Sequence, residues 1–464
     1  FLLVFIFILI NSIILKFSYI KDIYTEYDDI GVISLHKGNF DDKEIKILNF
    51  SFEIKKETIK NLNSSFLHPF YIATGWTYAP GQYFIVPFLN LENKKYYSKI
   101  LSVRAISSIT SLLNSILILY MCIKILNINR WLGLLIFSIF TFSLNSNIYS
   151  NHMSPYSTYS FCTTLGILIC MKATSSKNYL KFYTFNSILI YFSYTNILFY
   201  LGFLYIEFRK KRIIKTFYDL LTQNKKYLIL NLLLLLPILF LILFKLTISK
   251  AGIRGASIDP NLNFFELIEY ICSQFLLSIN SIQTGFLPIN FQKINLFFFI
   301  LILFIGIFYS YKKIVFNNKI IIEFLILYFL VWIFLYFFNK VPIDQTRHAL
   351  IYFPIYLFIV GIILKEIRYI NILSAILIIA LIFPAIKNNH EILNSKKSNF
   401  NYNLIVNSKI KKIYTYSDTL SPFIFFLEDY EIYNLDLNSY RNSFKKDKAP
   451  NELLLVSQNQ SSTI

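Results

Sequence analysis

The first residues of the chain, "FLLVFIFILINSIILKF" (Phe1–Phe17), form an apolar segment. A helix of this length crosses about 30 Å of hydrocarbon. Segments of similar length and composition recur along the 464 residues. We place spans at 1–17, 101–123, 131–148, 156–171, 227–246, 294–311, 320–338, 348–364 and 369–386. The repetition predicts the fold class, an all-α polytopic transmembrane bundle.

The overall composition agrees with a membrane protein. Hydrophobic residues make up 55% of the chain and charged residues only 15%, and the mean hydropathy is +0.53. A soluble protein of this length needs more charge to cover its surface. We therefore assign the net charge of +19 to loops that meet anionic lipid headgroups and set the topology. No nucleic-acid partner is expected.

The stretch 179–208 is long for a single pass and has basic clusters at both ends, Lys172 to Lys181 before it and Arg209 to Arg212 after it. If both clusters are cytoplasmic, the chain crosses out and back, with a turn near Ser193–Asn196. This interpretation gives about 11 spans in total. Short loops on the opposite side, such as 145–155, carry no Lys or Arg, so we expect a cytoplasmic N-terminus.

Outside the membrane the sequence predicts three larger segments. They are a long first loop at about 18–98, a segment at about 249–293 with an interfacial helix, and a tail at 387–464. In the tail, "KIKKIYTYSD", "PFIFFLEDY" and "EIYNLDL" predict strand, helix and strand, a small C-terminal α/β appendage. The membrane domain is thus 1–386. The chain opens without Met, and we expect its first segment to be a retained span rather than a signal peptide.

Cysteine usage indicates no cofactor or metal framework. Cys122, Cys162, Cys170 and Cys272 all lie in apolar surroundings without metal-ligand spacing. They are typical of small buried hydrophobic residues.

Three acids follow the first span closely in "YTEYDDIGVI" (Tyr24–Ile33): Glu26, Asp28 and Asp29. One interpretation is an acidic helix start, which the helix dipole favours. The other is a carboxylate at the membrane surface that acts as a general base toward a hydroxyl or amine. The residues alone leave both open.

Further motifs follow these acids in a recognisable order. They are "WTYAPGQYFIVPFLN" (Trp76–Asn90), "VRAISSITSLL" (Val103–Leu113), "YSNHMSPYS" (Tyr149–Ser157) and "RHALIYFPIYLFIVG" (Arg347–Gly361). Together with Asp28-Asp29, this order resembles the polytopic glycosyltransferases of the GT-C fold, in particular the bacterial dolichyl-phosphate-mannose-protein mannosyltransferase-like branch. The resemblance covers most of the first 386 residues in order and spacing, although each motif is short.

The resemblance implies an enzyme that takes sugar from a polyprenyl-phosphate donor. Asp28 would be the catalytic base of an inverting transfer, with Asp29 and Glu26 orienting it or binding the acceptor. Arg347 would face the donor phosphate, followed by Arg104 and His152. The substrate-binding residues that the motifs imply are Glu26, Arg104, His152, Tyr156, Arg347 and His348.

The resemblance also implies a setting for the reaction. The site would face the extracytoplasmic side of the plasma (inner) membrane, with a cell-envelope acceptor (lipid, polysaccharide or protein) and no metal or other cofactor. Two departures from the family pattern matter. Ser154 stands where Arg is usual, and we expect His152 to supply the missing contact with the donor phosphate. His348 stands where an aromatic residue is usual. Glu266 and Glu269 are the nearest alternative acids for a metal.

Other functions fit parts of the sequence. A transporter or flippase for a lipid-linked or polar solute agrees with the number of spans, but paired interrupted helices in matching halves are missing from the pattern. A structural subunit of a cell-envelope complex predicts that Asp28→Asn has no effect. An O-acyltransferase needs a His deep in a span, and none of the five His is clearly so placed.

Overall fold

Helices dominate the described residues of this chain, whose structure is a computed structural model. The structure describes residues 1–20, 43–47, 50–54, 79–85, 96–152, 155–175, 179–211, 213–214, 218, 225–248, 265–266, 316–337, 346–395, 412–415, 431–434 and 452–455.

The helices follow the apolar segments of the sequence. In the first part of the chain they are α1 (Leu2–Phe17), α2 (Gly81–Ile85), α3 (Tyr96–Tyr120), α4 (Arg130–Thr141), α5 (Leu144–Ser150) and α6 (Pro155–Ser175). In the later part they are α7 (Tyr179–Phe192), α8 (Leu198–Arg209), α9 (Lys225–Ile248), α10 (Phe316–Phe337), α11 (Thr346–Leu364) and α12 (Ile370–Ser395). The predicted span 294–311 lies outside the described residues, so the total of about 11 spans stays a prediction.

Several of these helices suit a hydrocarbon environment. Within the described residues, Leu101–Ile125, Lys225–Ile242 and Ile370–Ser395 are long and apolar enough to cross a membrane. Their outward faces carry large exposed apolar side chains, among them Leu233, Leu236, Ile376, Ile379 and Phe383. The chain is therefore a helical membrane protein.

The predicted span 131–148 consists of two helices rather than one. Helices α4 and α5 meet at an angle of 54° and together form one broken span, or a re-entrant loop. Ser143 caps the second half, because its hydroxyl accepts a hydrogen bond from the main-chain N–H of Ser146 at 3.3 Å. At the break, the Asn389 side chain donates to the carbonyl oxygen of Phe142 at 2.9 Å. A backbone group left open by the bend thus has a partner in the bundle.

The predicted turn within 179–208 is present, whereas the passage of both helices across the membrane stays a prediction. Helices α7 and α8 are separated by a short 3₁₀ turn, Tyr194–Ile197, at the expected position. Asn196 holds this turn in place: its side chain donates to the carbonyl of Cys162 in α6 at 2.8 Å, and its carbonyl accepts from Asn186 at 3.1 Å.

Helix α6 is central to the bundle and packs against α3, α7, α8 and α11. Apolar side chains fill much of the interior, including Phe137, Phe140, Phe353 and Phe358. One end of the bundle differs, because α3, α5 and the start of α6 bury many hydroxyl and amide side chains there. They include Ser107, Ser108, Ser111, Asn114, Asn145, Ser146, Asn147, Ser150, Asn151, Ser157 and Thr158.

Short strands occur in two segments outside the bundle. In the first loop, β1 (Lys43–Ile47) pairs antiparallel with β2 (Phe50–Ile54). In the tail, β3 (Lys412–Thr415), β4 (Glu431–Asn434) and β5 (Glu452–Leu455) form a parallel sheet in the order β4-β3-β5. The helix expected at "PFIFFLEDY" lies outside the described residues, so the α/β appendage as a whole stays a prediction.

The last helix extends past the predicted end of the membrane domain at residue 386. Helix α12 continues to Ser395. Its final turns carry the polar residues Lys387, Asn388, Asn389 and His390. The apolar pattern of the sequence ends at these residues, but the helix continues through them. Of these, Asn389 is buried against the bundle.

Candidate functional site

The polar end of the bundle surrounds the point where α1 ends and the chain enters the first loop. Three main-chain carbonyls there, two in the last turn of α1 and one three residues beyond it, accept side-chain hydrogen bonds. That of Leu15 accepts from Asn151 at 3.1 Å, that of Lys16 from Ser108 at 2.8 Å, and that of Ile20 from Arg104 at 2.7 Å. Carbonyls at a helix end have no partner within the helix. Side chains of α3 and of the turn after α5 thus satisfy them.

Lys16 itself is fully buried at this end. Its Nζ donates to Ser111 Oγ at 2.9 Å, Ser146 Oγ at 3.0 Å and Asn147 Oδ1 at 3.2 Å. The three acceptors come from α3 and α5. Among the described residues no carboxylate pairs with this amine.

Asn147 extends the contacts of Lys16 to the last helix. Its side chain donates to Asn389 Oδ1 at 2.8 Å. Nearby, the Tyr19 hydroxyl and His390 Nδ1 are 2.6 Å apart. The end of α1 therefore contacts α3, α5 and α12 through polar groups.

Aromatic rings form a row beside this cluster. The ring of Tyr149 is 6.5 Å from that of His152 and 5.7 Å from that of Tyr156, measured between centroids. The Tyr156 ring is in turn 6.2 Å from Tyr159. His152 and Tyr156 are both buried, at 1% and 3% exposure. The row follows the turn between α5 and α6.

The first loop returns to the bundle at this row. The main-chain N–H of Ala79 donates to the Tyr159 hydroxyl at 3.0 Å. Gly81 follows at the start of α2, where a Cβ atom would lie only 2.5 Å from the Phe192 ring of α7. Glycine is needed for this close approach. Ala79 and Gly81 thus contact α6 and α7, respectively.

Three of the predicted site residues, Arg104, His152 and Tyr156, lie buried at the same end of the bundle. Arg104 is 1% exposed on α3, one helical turn before Ser108, whose hydroxyl oxygen is also 2.7 Å from the carbonyl oxygen of Ser150 and can share its single proton between the two carbonyls. His152 and Tyr156 follow Ser150 closely in the chain. Motifs that are far apart in the sequence therefore meet at the end of α1.

The other predicted residues are described only in part or not at all. Arg347 and His348 lie in the first turn of α11, where the described part of the structure includes their backbone. Helix α11 packs against α5 and α6, the two helices that flank His152. Glu26, Asp28 and Asp29 lie outside the described residues, so the position of the catalytic acids stays a prediction.

The described residues contain no group of three or more His, Cys, Asp or Glu that could hold a metal ion. Asp28, Asp29 and Glu269 lie outside these residues, and Glu266 is exposed. The expectation of a metal-free site is therefore untested.

Sequence reasoning missed several residues of this cluster, among them Lys16, Tyr19 and His390. For Lys16 a signal was present, because a lysine inside an apolar span is costly and usually has a partner. The contact of Tyr19 with His390 joins residues 371 positions apart. No local pattern could reveal it.

The groups at this end suit an anionic ligand at a membrane surface. Guanidinium, imidazole and phenol groups donate hydrogen bonds to phosphate oxygens, and Arg does so with a planar fork. No family model matches the sequence, and a comparison with curated proteins found no match. A functional assignment must therefore come from the residues of this chain.

Proposed function

We propose that the protein is an integral-membrane glycosyltransferase. It moves a sugar from a polyprenyl-phosphate donor to a cell-envelope acceptor on the outer face of the membrane. The observation that carries the proposal is the polar end of the bundle, which holds Arg104, His152 and Tyr156 and which Ala79 of the first loop contacts through Tyr159. Asp28 lies in that same loop.

The proposed reaction is a single displacement. The acceptor hydroxyl gives its proton to the Asp28 carboxylate while its oxygen forms a bond to the anomeric carbon. The bond from that carbon to the phosphate oxygen breaks, and its electron pair stays on the lipid phosphate. Attack opposite the leaving group inverts the anomeric configuration.

Negative charge develops on the leaving phosphate, and cationic donors at this point lower the barrier. We assign this role to Arg347, with Arg104 and His152 beside it and His348 in the same turn of α11. Asp29 and Glu26 orient Asp28 or bind the acceptor, and Tyr156 contributes a ring and a hydroxyl to the sugar site. The proposal requires no metal and no nucleic acid.

The finer architecture belongs to the same proposal. It includes a GT-C-like bundle with about 11 spans, a small extracytoplasmic α/β tail and a plasma-membrane location with the site facing outward. The acceptor is a lipid, a polysaccharide or a protein.

The test is transfer by purified protein in lipid nanodiscs, using radiolabelled polyprenyl-phosphate sugars and an acceptor extract of cell envelopes. We expect Asp28→Asn to lower the rate by about 10²–10⁴-fold, the usual contribution of a general base. Asp41→Asn, in the same loop and also beside a second Asp, is the matched control and is expected to transfer at the wild-type rate. Wild-type activity in Asp28→Asn would rule out the base assignment.

A transporter or flippase is the second candidate, because one observation favours it. The broken span formed by α4 and α5 places buried polar side chains within the bundle. Interrupted helices of this kind form substrate sites in transporters. Protein in vesicles that moves a lipid-linked sugar across the bilayer, and transfers sugar to no acceptor, would support this alternative.

A further inference from the structure

We infer that Lys16 is a positioning residue for the transfer reaction: its buried amine fixes the end of α1 and thereby the start of the loop that carries the catalytic acid. The inference rests on the proposed function. It assigns to Lys16, Ser108 and Asn147 a role in placing Asp28 that is separate from any contact with substrate.

The side chain of Lys16 has a complete set of protein partners. A lysine ammonium carries three N–H donors, and the three oxygens of Ser111, Ser146 and Asn147 lie 2.9, 3.0 and 3.2 Å from Nζ. The acceptors belong to two different helices, α3 and α5. Because these contacts use all three donors, Lys16 links helices instead of binding a substrate phosphate.

The main chain around Lys16 is fixed as well. Its own carbonyl accepts from Ser108, and the carbonyl of the preceding Leu15 accepts from Asn151. Ile20, the last described residue before the loop, accepts from Arg104. Side chain and backbone are thus held over the last turn of α1 and as far as Ile20.

The choice of lysine here does not serve stability alone. A buried amine without a carboxylate partner is costly within a membrane bundle, and an apolar side chain of similar length avoids that cost. The amine instead fixes an orientation, because its three hydrogen bonds form at only one rotation of α1 relative to α3 and α5. Catalysis needs such accuracy, because a displacement of about 1 Å can lower a rate by about 10²-fold.

The contacts of Asn147 connect this arrangement to the far end of the chain. Asn147 accepts from Lys16 and donates to Asn389, whose amide in turn donates to the Phe142 carbonyl at the α4–α5 break. The broken span therefore has a use in the proposed enzyme. It turns the polar helix α5 so that Ser146 and Asn147 face Lys16.

The experiment compares Lys16→Met with a matched pair of serine variants in nanodiscs. Ser108 and Ser115 are both fully buried on α3. Ser108 reaches across to the Lys16 and Ser150 carbonyls, whereas Ser115 donates only to Ser111 of its own helix. Each variant is assayed for kcat, for the KM of the lipid-linked donor, and for hydrogen exchange of the amides of residues 15–20.

We expect Lys16→Met to lower kcat by about 10²-fold with KM changed by less than about threefold. Ser108→Ala should lower kcat by about tenfold, and Ser115→Ala by less than about twofold. The amides of residues 15–20 should exchange faster in Lys16→Met and Ser108→Ala only. Ser108→Ala also provides a variant that folds if Lys16→Met does not.

Three results would overturn the inference. Wild-type kcat together with faster exchange would mean that the end of α1 does not position the loop. A rise in KM at constant kcat would make Lys16 a donor-binding residue. A lower kcat with unchanged hydrogen exchange at residues 15–20 would mean that Lys16 does not anchor the end of α1. In contrast, wild-type protein that transfers sugar from no donor overturns the proposed function, and the exchange data then report on anchoring separately.

Discussion

Arg104 illustrates how a single side chain can serve the fold and the site together. It is 1% exposed on α3, and its NH1 group donates to the Ile20 carbonyl at 2.7 Å. The sequence predicted a phosphate ligand here. The hydrogen bond adds a second role, because the same guanidinium holds the backbone that leads into the first loop.

We expect Arg104→Met to lower the free energy of unfolding by about 1–3 kcal/mol, the cost of leaving a buried carbonyl without its donor. Arg104→Lys should lose less, since a lysine keeps one donor but not the planar fork. Thermal unfolding in detergent measures both. Arg130→Met, at the exposed start of α4, is the control, and an equal loss there would contradict the assignment.

Among the helices, the contact between α8 and α10 depends on the absence of a side chain. A Cβ atom at Gly202 would overlap the Phe324 ring. A Cβ atom at Gly133, in contrast, would lie 3.2 Å from Cγ1 of Ile123, a contact that a shift of a few tenths of an ångström relieves. Small residues let helices approach closely in membranes.

Gly202→Ala should therefore lower the free energy of unfolding by about 1–3 kcal/mol, the usual cost of overpacking. Gly133→Ala places the same methyl group where its neighbour can move, and it should change stability by less than about 1 kcal/mol. Melting temperatures of the two variants in the same detergent provide the comparison. Equal melting temperatures would mean that α8 and α10 are farther apart than described.

How far the sequence predicts each element depends on the range of the signal. The turn at Tyr194–Ile197 was predicted because basic residues on both sides require the chain to return. The break before Ser143 was not predicted, because hydropathy averaged over 131–148 does not reveal a single capping serine. Contacts such as Tyr19 with His390 depend on how distant helices pack, and sequence periodicity carries no information about them.

At the scale of the whole molecule, the two ends of the bundle differ in chemistry. One end holds Lys16, Arg104 and the aromatic row. The other holds Lys365, which donates to the Leu126 carbonyl at 2.9 Å, and Arg209, which pairs with Glu323 at 2.9 Å. Partial burial lowers the pKa of Lys365. The alternation of the spans between the two faces of the membrane stays a prediction.

The polarity of the bundle can be tested with two exposed positions at its opposite ends, Lys124 and Glu391. With Cys272→Ser as background, we expect a membrane-impermeant maleimide to label Glu391→Cys in intact cells. Lys124→Cys should react only after the membrane is opened, because positively charged loops stay in the cytoplasm. The reverse labelling would place the candidate site on the cytoplasmic side.

The hydrogen bonds of Tyr19 and Asn147 with α12 have a consequence for how the protein is made. Helix α1 leaves the ribosome before α12, which carries Asn389 and His390. A nascent chain inserted in the membrane therefore lacks part of the polar cluster around Lys16 until α12 has been translated. In the proposed enzyme, synthesis must pass residue 390 before sugar transfer can begin, so the order of translation itself would keep incomplete chains inactive.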